Sequence, residues 1–232
     1  MQEWFSVEKI EEVGMSTSNE QIAEDRTYER LARRWGWIVK VVTLGKEGVL
    51  RQTVVDALAL EPNQTVLDLG CGTGRTFPYI IDRIGASGHL IGLDHSPAML
   101  REAQSLVERY GWKNVELVEG DAAQLSLGRV MDAAACVLAM VNIPDYREAM
   151  RRMVAHVRPG GRIVIADARR HESGQGGLSR WVAERTARYL VADLSRKPEE
   201  AFAQMVDDYS YQEIARGHYF VASGKVPIKQ TE

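Results

Sequence analysis

The stretch VLDLGCGTGRT, residues 66–76, decides the fold. A short apolar run containing Asp68 leads into glycines at 70, 72 and 74. Strand, glycine turn and helix together bring a ligand to a helix N-terminus at the carboxyl edge of a sheet. Glycine lets the backbone approach closely and take positive φ. Two phosphate-binding readings fail on spacing. The dinucleotide pattern G-x-G-x-x-G needs glycine at 75, where Arg75 stands, and no Gly-Lys-Ser/Thr follows. A carboxylate at Asp68 would repel a pyrophosphate and attract a cation.

The pattern repeats downstream. TVLDL (65–69), HLIGLD (89–94), NVELVEG (114–120), MDAAACVLAM (131–140) and GRIVIAD (161–167) read as strands. Helices are expected over 75–84, 97–110 and 145–157, which makes βαβ units and a mostly parallel α/β sheet with helices on both faces. YSYQEIARGHYFVASGK (209–225) holds two β-prone runs around Arg216-Gly217-His218 and reads as an antiparallel hairpin. A dinucleotide-binding sheet would continue by crossover instead. Before the sheet, NEQIAEDRTYERLARRWGWIVKVV (19–42) has near-helical spacing. KEGVLRQTVVDALAL (46–60) places Val49, Leu50, Val54 and Leu58 on one helix face. The expectation is one domain in four parts: an N-terminal helical cap (1–60), a core (61–167), a helical insertion (168–204) and the hairpin (205–232).

The chain of 232 residues suits one large α/β domain. Its net charge of −3 argues against coating nucleic acid. Cys71 and Cys136 form no C-x-x-C pair, so neither a zinc site, nor any other metal, nor a disulfide framework is expected. That fits a reducing cytoplasm. The first twenty residues are acidic and lack the apolar core of a signal peptide. No apolar run approaches the ~18 residues of a membrane span.

VLDLGCGTGRT resembles the first motif of class I S-adenosylmethionine-dependent methyltransferases, and the resemblance continues in order. LIGLDHSPAML, EGDAAQL, MDAAACVLAMVNIPD and VRPGGRIVIAD are similar to the later motifs. The resemblance implies a Rossmann-like seven-stranded sheet that the terminal hairpin completes. It implies S-adenosylmethionine as cofactor and S-adenosylhomocysteine as product. The amino-acid end would lie against Asp68, Gly70, Gly72, Thr73 and Gly74. Asp94 would bind both ribose hydroxyls, with His95 and Met99 beside it. Asp121 would meet the adenine amino group and Ala122 the ring, while Val137 and Leu138 would lie beneath the sulfonium. Against this stand plainer roles: a helix cap for Asp94, a turn for Asp121, a filler for Cys71, a lining role for His95, and a structural turn for Pro159-Gly160-Gly161.

The acceptor is less legible. Methyl transfer from a sulfonium needs alignment, exclusion of water and a deprotonated nucleophile, so catalytic groups can be few. The N/D-P-P-Y/F signature of exocyclic-amine nucleic-acid methyltransferases is missing. YERLARRWGW resembles the opening of ubiquinone/menaquinone-type methyltransferases, with Glu29 where Asp is usual. VNIPDYREAMRRMVAHVRPGG also fits the phospholipid-amine methyltransferases. The expected acceptor is a small, partly apolar or lipid-like molecule: a quinone-type ring carbon or a lipid-headgroup amine. The alternatives are another small-molecule N or O acceptor, or a non-catalytic adenosylmethionine-binding protein. Tyr28, His95 and His218 are candidate bases. Tyr28, Trp35, Trp37, Leu138, Trp181 and Tyr189 are candidate pocket residues. Residues 30–46 join five basic residues to two tryptophans without an acid. They can lie on an anionic bilayer or pack as a helix with solvated arginines. A monomer or homodimer is expected.

Overall fold

The computed structural model describes residues 45–169 and 195–228. Helix α1 (Glu47–Leu58) precedes β1 (Thr65–Leu69), α2 (Phe77–Ile84), β2 (His89–Asp94), α3 (Pro97–Tyr110) and β3 (Val115–Glu119). Then follow β4 (Met131–Val137), α4 (Tyr146–Ala155), β5 (Val157–Ala168), α5 (Pro198–Phe202), β6 (Asp207–Ile214) and β7 (Tyr219–Lys225). The seven strands lie in the order β3-β2-β1-β4-β5-β7-β6. β1 to β5 run parallel to their neighbours, and β7 runs antiparallel to both β5 and β6. The strand order reverses between β1 and β4, which opens a crevice at their carboxyl ends.

Alternation along the strands builds two cores. Val66, Leu90 and Val164 face Leu50, Val54 and Leu58 of α1 together with Phe77, Ile80 and Ile84. Leu67, Ile91, Ile163 and Ile165 face Met150 and Met153 of α4, with Phe202 and Phe220. Both faces are covered, which is why the central strands read as nearly unbroken apolar runs. Local chemistry sets the helix ends. Ser96 Oγ accepts the Met99 N–H ahead of Pro97, and Gly111 closes α3 in the left-handed region. Asp145 accepts the Glu148 N–H at the start of α4.

The differences from expectation lie at the edges of elements. β4 stops at Val137 rather than 140. Leu138 takes φ 58°, and a 3₁₀ turn covers Met140–Asn142. β5 starts four residues earlier than the sequence suggests, because Val157 pairs with Met131. Val49 is exposed; the buried stripe of α1 is instead Glu47, Leu50, Arg51, Val54, Val55 and Leu58. The helix expected over 19–42 and the helical part of the 168–204 insertion lie outside the described residues. Among the described residues, no helix is long and apolar enough to cross a membrane.

Candidate functional site

At the carboxyl edge, a cavity of about 120 Å³ lies between the loops that follow β1, β2, β3 and β4. Its floor is the glycine loop. Gly70, Gly72 and Gly74 all take positive φ, between 55° and 75°. A Cβ on Gly70 would sit 2.5 Å from the Ala139 Cβ, so the β1 and β4 loops meet there with no room for a side chain. Gly74 faces the core instead, where an added Cβ would fall 2.7 Å from the Phe77 ring. Gly74 therefore shapes the loop without lining the cavity.

Asp94 ends β2 with 7% exposure. One carboxylate oxygen accepts the Gly72 N–H at 2.7 Å, and the other accepts the Ser96 N–H at 2.9 Å. Ser96 caps α3, so Asp94 is not the helix cap. Its oxygens keep spare lone pairs on the cavity wall. Burial pushes the Asp94 carboxyl up, against the opposing pull of His95 and the backbone N–H groups. His95 also lines the cavity, with Nδ1 3.7 Å from Asp94 Oδ1. Asp121 accepts the Ala123 N–H at 2.8 Å and so caps a short 3₁₀ turn. It lines the cavity as well, beside Ala122, so the turn role and the wall position coexist. Thr73, Met99, Val137 and Leu138 complete the sequence-predicted residues that the cavity brings together.

Besides Gly74, two expected residues sit differently. Asp68 is buried beneath the loop and does not line the cavity; among the described residues neither carboxylate oxygen has a hydrogen-bond partner. Burial raises its pKa to about 7, with the Arg51 charge pulling the other way. His218 lies in the β6–β7 turn, where its carbonyl accepts the Arg169 N–H, and it does not line the cavity. Cys71 keeps the filler role expected of it: it is buried, and burial beside Asp94 and Asp68 pushes its thiol well up, away from nucleophilic use. Tyr28, Trp35, Trp37, Trp181 and Tyr189, with nearly all of the 30–46 segment, lie outside the described residues.

Two groups of residues escaped the sequence reading. Glu47 of α1 accepts Arg51 Nε at 2.9 Å and both Nε and Nη2 of Arg75 at 2.5 Å, while Arg51 Nη1 donates to Thr76 Oγ. This ties α1 to the glycine loop, and Arg51 and Arg75 reach the cavity wall. The Glu-x-x-x-Arg spacing of 47 and 51 was the available signal. The second group holds the β4 loop. The buried Asp167 accepts the Val141 N–H at 3.0 Å, and Arg196 donates to the carbonyls of Val141 and Ile143 at 3.2 and 2.5 Å. These long-range pairings leave no local pattern.

Residues 66–161 match the methyltransferase-domain family. A demethylmenaquinone methyltransferase of Bacillus cereus is 26% identical over 154 residues, which cover 66% of this chain and 65% of that protein. The chain thus spans just under two thirds of the length of the curated relatives it matches. Phosphoethanolamine N-methyltransferase 2 of Haemonchus contortus, in complex with S-adenosyl-L-methionine, superposes with a TM-score of 0.71 at 14% identity. That overlap covers 92% of this chain and 61% of the other. The [4+2]-cyclase SpnF superposes with a TM-score of 0.65 at 15% identity, over 93% of this chain and 98% of that one. Residues 66–161 are a methyltransferase domain, and the seven-stranded sheet around them has the fold of the structures on which the chain superposes.

Proposed function

We propose that this chain transfers a methyl group from S-adenosylmethionine to a small, partly apolar or lipid-like acceptor. The observation that carries the reading is Asp94. Backbone N–H groups fix its carboxylate from two sides at the cavity wall, and its remaining lone pairs suit the two hydroxyls of a ribose. The residues around it fit the rest of the ligand. The glycine loop admits close approach, the buried and unpartnered Asp68 favours a cationic ligand nearby, and Ala122 with Asp121 lines the adenine end. Gly70, Gly72, Thr73, Asp94, His95, Met99, Asp121, Ala122 and Val137 are the proposed binding residues. Leu138 belongs to the acceptor side, with Tyr28, Trp35, Trp37, Trp181 and Tyr189 from the segments on either side of the core.

The bound cofactor supplies an electrophilic methyl carbon on a neutral leaving group. The chain's own task is to align it and exclude water. Val137 and Leu138 do this from the end of β4, where Leu138 is held in the left-handed region by its N–H bond to the Ala166 carbonyl. Two acceptors are put forward, a quinone-type ring carbon and a lipid-headgroup amine. The likeness to the demethylmenaquinone and phosphoethanolamine methyltransferases supports them. Contact of residues 30–46 with an anionic bilayer would give such acceptors a route in. A second reading is binding without methyl transfer: a [4+2]-cyclase shares this fold, and fold does not fix function.

Calorimetry with S-adenosylhomocysteine and with NAD tests the cofactor. Binding of the first alone is expected, and binding of NAD alone would overturn it. Incubation with labelled donor and a quinol or lipid extract then tests turnover. Label in either extract is expected; cofactor binding with label in neither would favour the non-catalytic reading.

A further inference from the structure

The cavity is divided by charge. Its charged lining residues, Arg51, Arg75, Asp94 and Asp121, stand with His95 on the loops of β1 to β3 and on α1. The wall after β4 is built from Val137, Leu138, Ala139, Asn142, Ile143 and Pro144. That wall is apolar apart from one carboxamide. Asn142 Oδ1 is buried, and it has no hydrogen-bond partner among the described residues. A buried amide oxygen without a partner loses its hydration with nothing in return. Such groups in native structures call for a ligand or a functional role.

The backbone around Asn142 is held firmly. Its own N–H bonds the Ala139 carbonyl at 2.9 Å, closing a 3₁₀ turn. The preceding Val141 N–H is fixed by Asp167. The carbonyls on both sides, of Val141 and Ile143, are held by one guanidinium, Arg196, which stands 5.6 Å over the Tyr146 ring. Three independent anchors therefore position a residue whose amide oxygen has no hydrogen-bond partner among the described residues. The last torsion of asparagine is broad and two-fold, so the amide can turn its oxygen to the cavity. Gly70 and Ala139 abut, so this wall meets the glycine loop at its start, at the methyl-donating end of the site proposed above.

We infer that Asn142 holds the methyl acceptor by a hydrogen bond, and that the acceptor is a neutral, largely apolar ring bearing a hydroxyl next to the reacting carbon. This rests on the methyltransferase reading and narrows its two acceptors to one. A neutral amide in an apolar wall satisfies one hydroxyl proton; it offers no countercharge for an ammonium or a phosphate. Accepting that proton's hydrogen bond enriches the ring oxygen and with it the neighbouring carbon. The ring carbon forms its bond to the methyl carbon with a ring electron pair. The C–S pair stays on sulfur, and the hydroxyl proton passes to water. The ring hydrogen at the attacked carbon then leaves and the oxygen is reprotonated, which restores the aromatic ring with one proton released overall.

The test uses the full chain, labelled donor, and two probes: a reduced naphthoquinol with a free ring position, and phosphoethanolamine. Label is expected in the naphthoquinol alone. Asn142→Ala should lower kcat/KM for it by about 10- to 100-fold, the size of one lost hydrogen bond to a reacting group. Its affinity for S-adenosylhomocysteine and its Tm should stay unchanged, since the amide oxygen bonds none of the described residues. Asn142→Asp, which keeps an acceptor oxygen, should restore most of the rate. Calorimetry of naphthoquinol on the adenosylhomocysteine complex should show the same order of variants without turnover. Label in phosphoethanolamine instead, an Asn142→Ala rate within twofold of the unaltered chain, or an Asn142→Asp variant no better than Asn142→Ala would each overturn the inference. Label in neither probe with adenosylhomocysteine still bound would overturn the inference and leave the cofactor reading standing. Failure to bind adenosylhomocysteine would overturn the proposed function itself.

Discussion

On the side of the cavity built by β1, β2 and β3, carboxylates meet backbone N–H groups: Asp94 holds Gly72 and Ser96, and Asp121 holds Ala123. On the side built by β4, the buried Asp167 and the half-buried Arg196 hold the backbone from behind, while the wall itself is apolar with one amide. The first side recognises by charge and close backbone approach. The second recognises by shape and a single hydrogen bond. A site divided this way can keep its donor half fixed while its acceptor half is retuned by a few side chains.

The contact between the two sides is the place to break this arrangement. Gly70→Val puts a branched side chain where a Cβ already falls 2.5 Å from the Ala139 Cβ, at φ 68°. The left-handed backbone costs about 1–2 kcal/mol, and overpacking about 1–3 kcal/mol more. Adenosylhomocysteine affinity should fall by about 100-fold or more, at about 1.4 kcal/mol per tenfold, and Tm should fall with it. Binding retained within a few-fold would mean that the two loops do not need to touch.

Glu47→Gln comes next. Burial would raise the Glu47 carboxyl, yet the bonds from Arg75 and Arg51 hold it below its ordinary value. The substitution leaves two guanidiniums without their shared counterion, one of them buried. Removing one partner of a buried pair costs about 3–5 kcal/mol. Arg75 is about a third exposed and solvent screens it, so about 2–3 kcal/mol is expected. Denaturant unfolding measures it. An unchanged midpoint would show that α1 is not tied to the loop by this carboxylate.

How much of this was readable beforehand follows from the range of each interaction. The strands, the switch point and the glycine loop rest on local patterns: apolar alternation, glycine spacing, and a proline or serine at helix starts. TVLDL and HLIGLD therefore fall on β1 and β2 residue for residue. Asp94 and Asp121 were legible because motif and element end coincide. Asp167, Arg196 and Asn142 were not, since their roles depend on partners between 26 and 55 residues away, or on having none. Val49 was misplaced because neighbouring apolar residues on a helix point about 100° apart, and Leu50 takes the core position.

Asp94→Ala sharpens the first side alone. The ribose hydroxyls lose a charged acceptor, so adenosylhomocysteine binding should weaken by about 1–3 kcal/mol, read by calorimetry. The Gly72 and Ser96 N–H groups lose their partner too, so a small drop in Tm should accompany it. Unchanged affinity would remove Asp94 from the ribose site and leave it a loop brace.

The smallest expected effect compares two acids, one behind each side of the cavity. Burial raises both Asp68 and Asp167 to about 7. An unfolded aspartate titrates near about 3.9, so between roughly pH 4 and 7 the folded chain holds protons that the unfolded chain has lost. Stability is therefore fullest below the unfolded pKa, falls as pH rises toward about 7, and levels off above it. Each acid contributes at most about 1.4 kcal/mol per pH unit to that slope. The acids differ in their bonds: among the described residues Asp68 meets no partner at hydrogen-bond geometry, though the Thr76 hydroxyl helps to lower its carboxyl, while Asp167 accepts the Val141 and Ala168 N–H groups. Asp68→Asn should therefore flatten the Tm–pH curve between pH 5 and 7 without lowering Tm at pH 5. Asp167→Asn should flatten it too, but at a cost of about 1 kcal/mol for the lost acceptor, and should loosen the loop that carries Asn142. Equal losses at pH 5 would mean that Asp68 is bonded as firmly as Asp167, and the contrast between the two sides would not extend to the acids behind them.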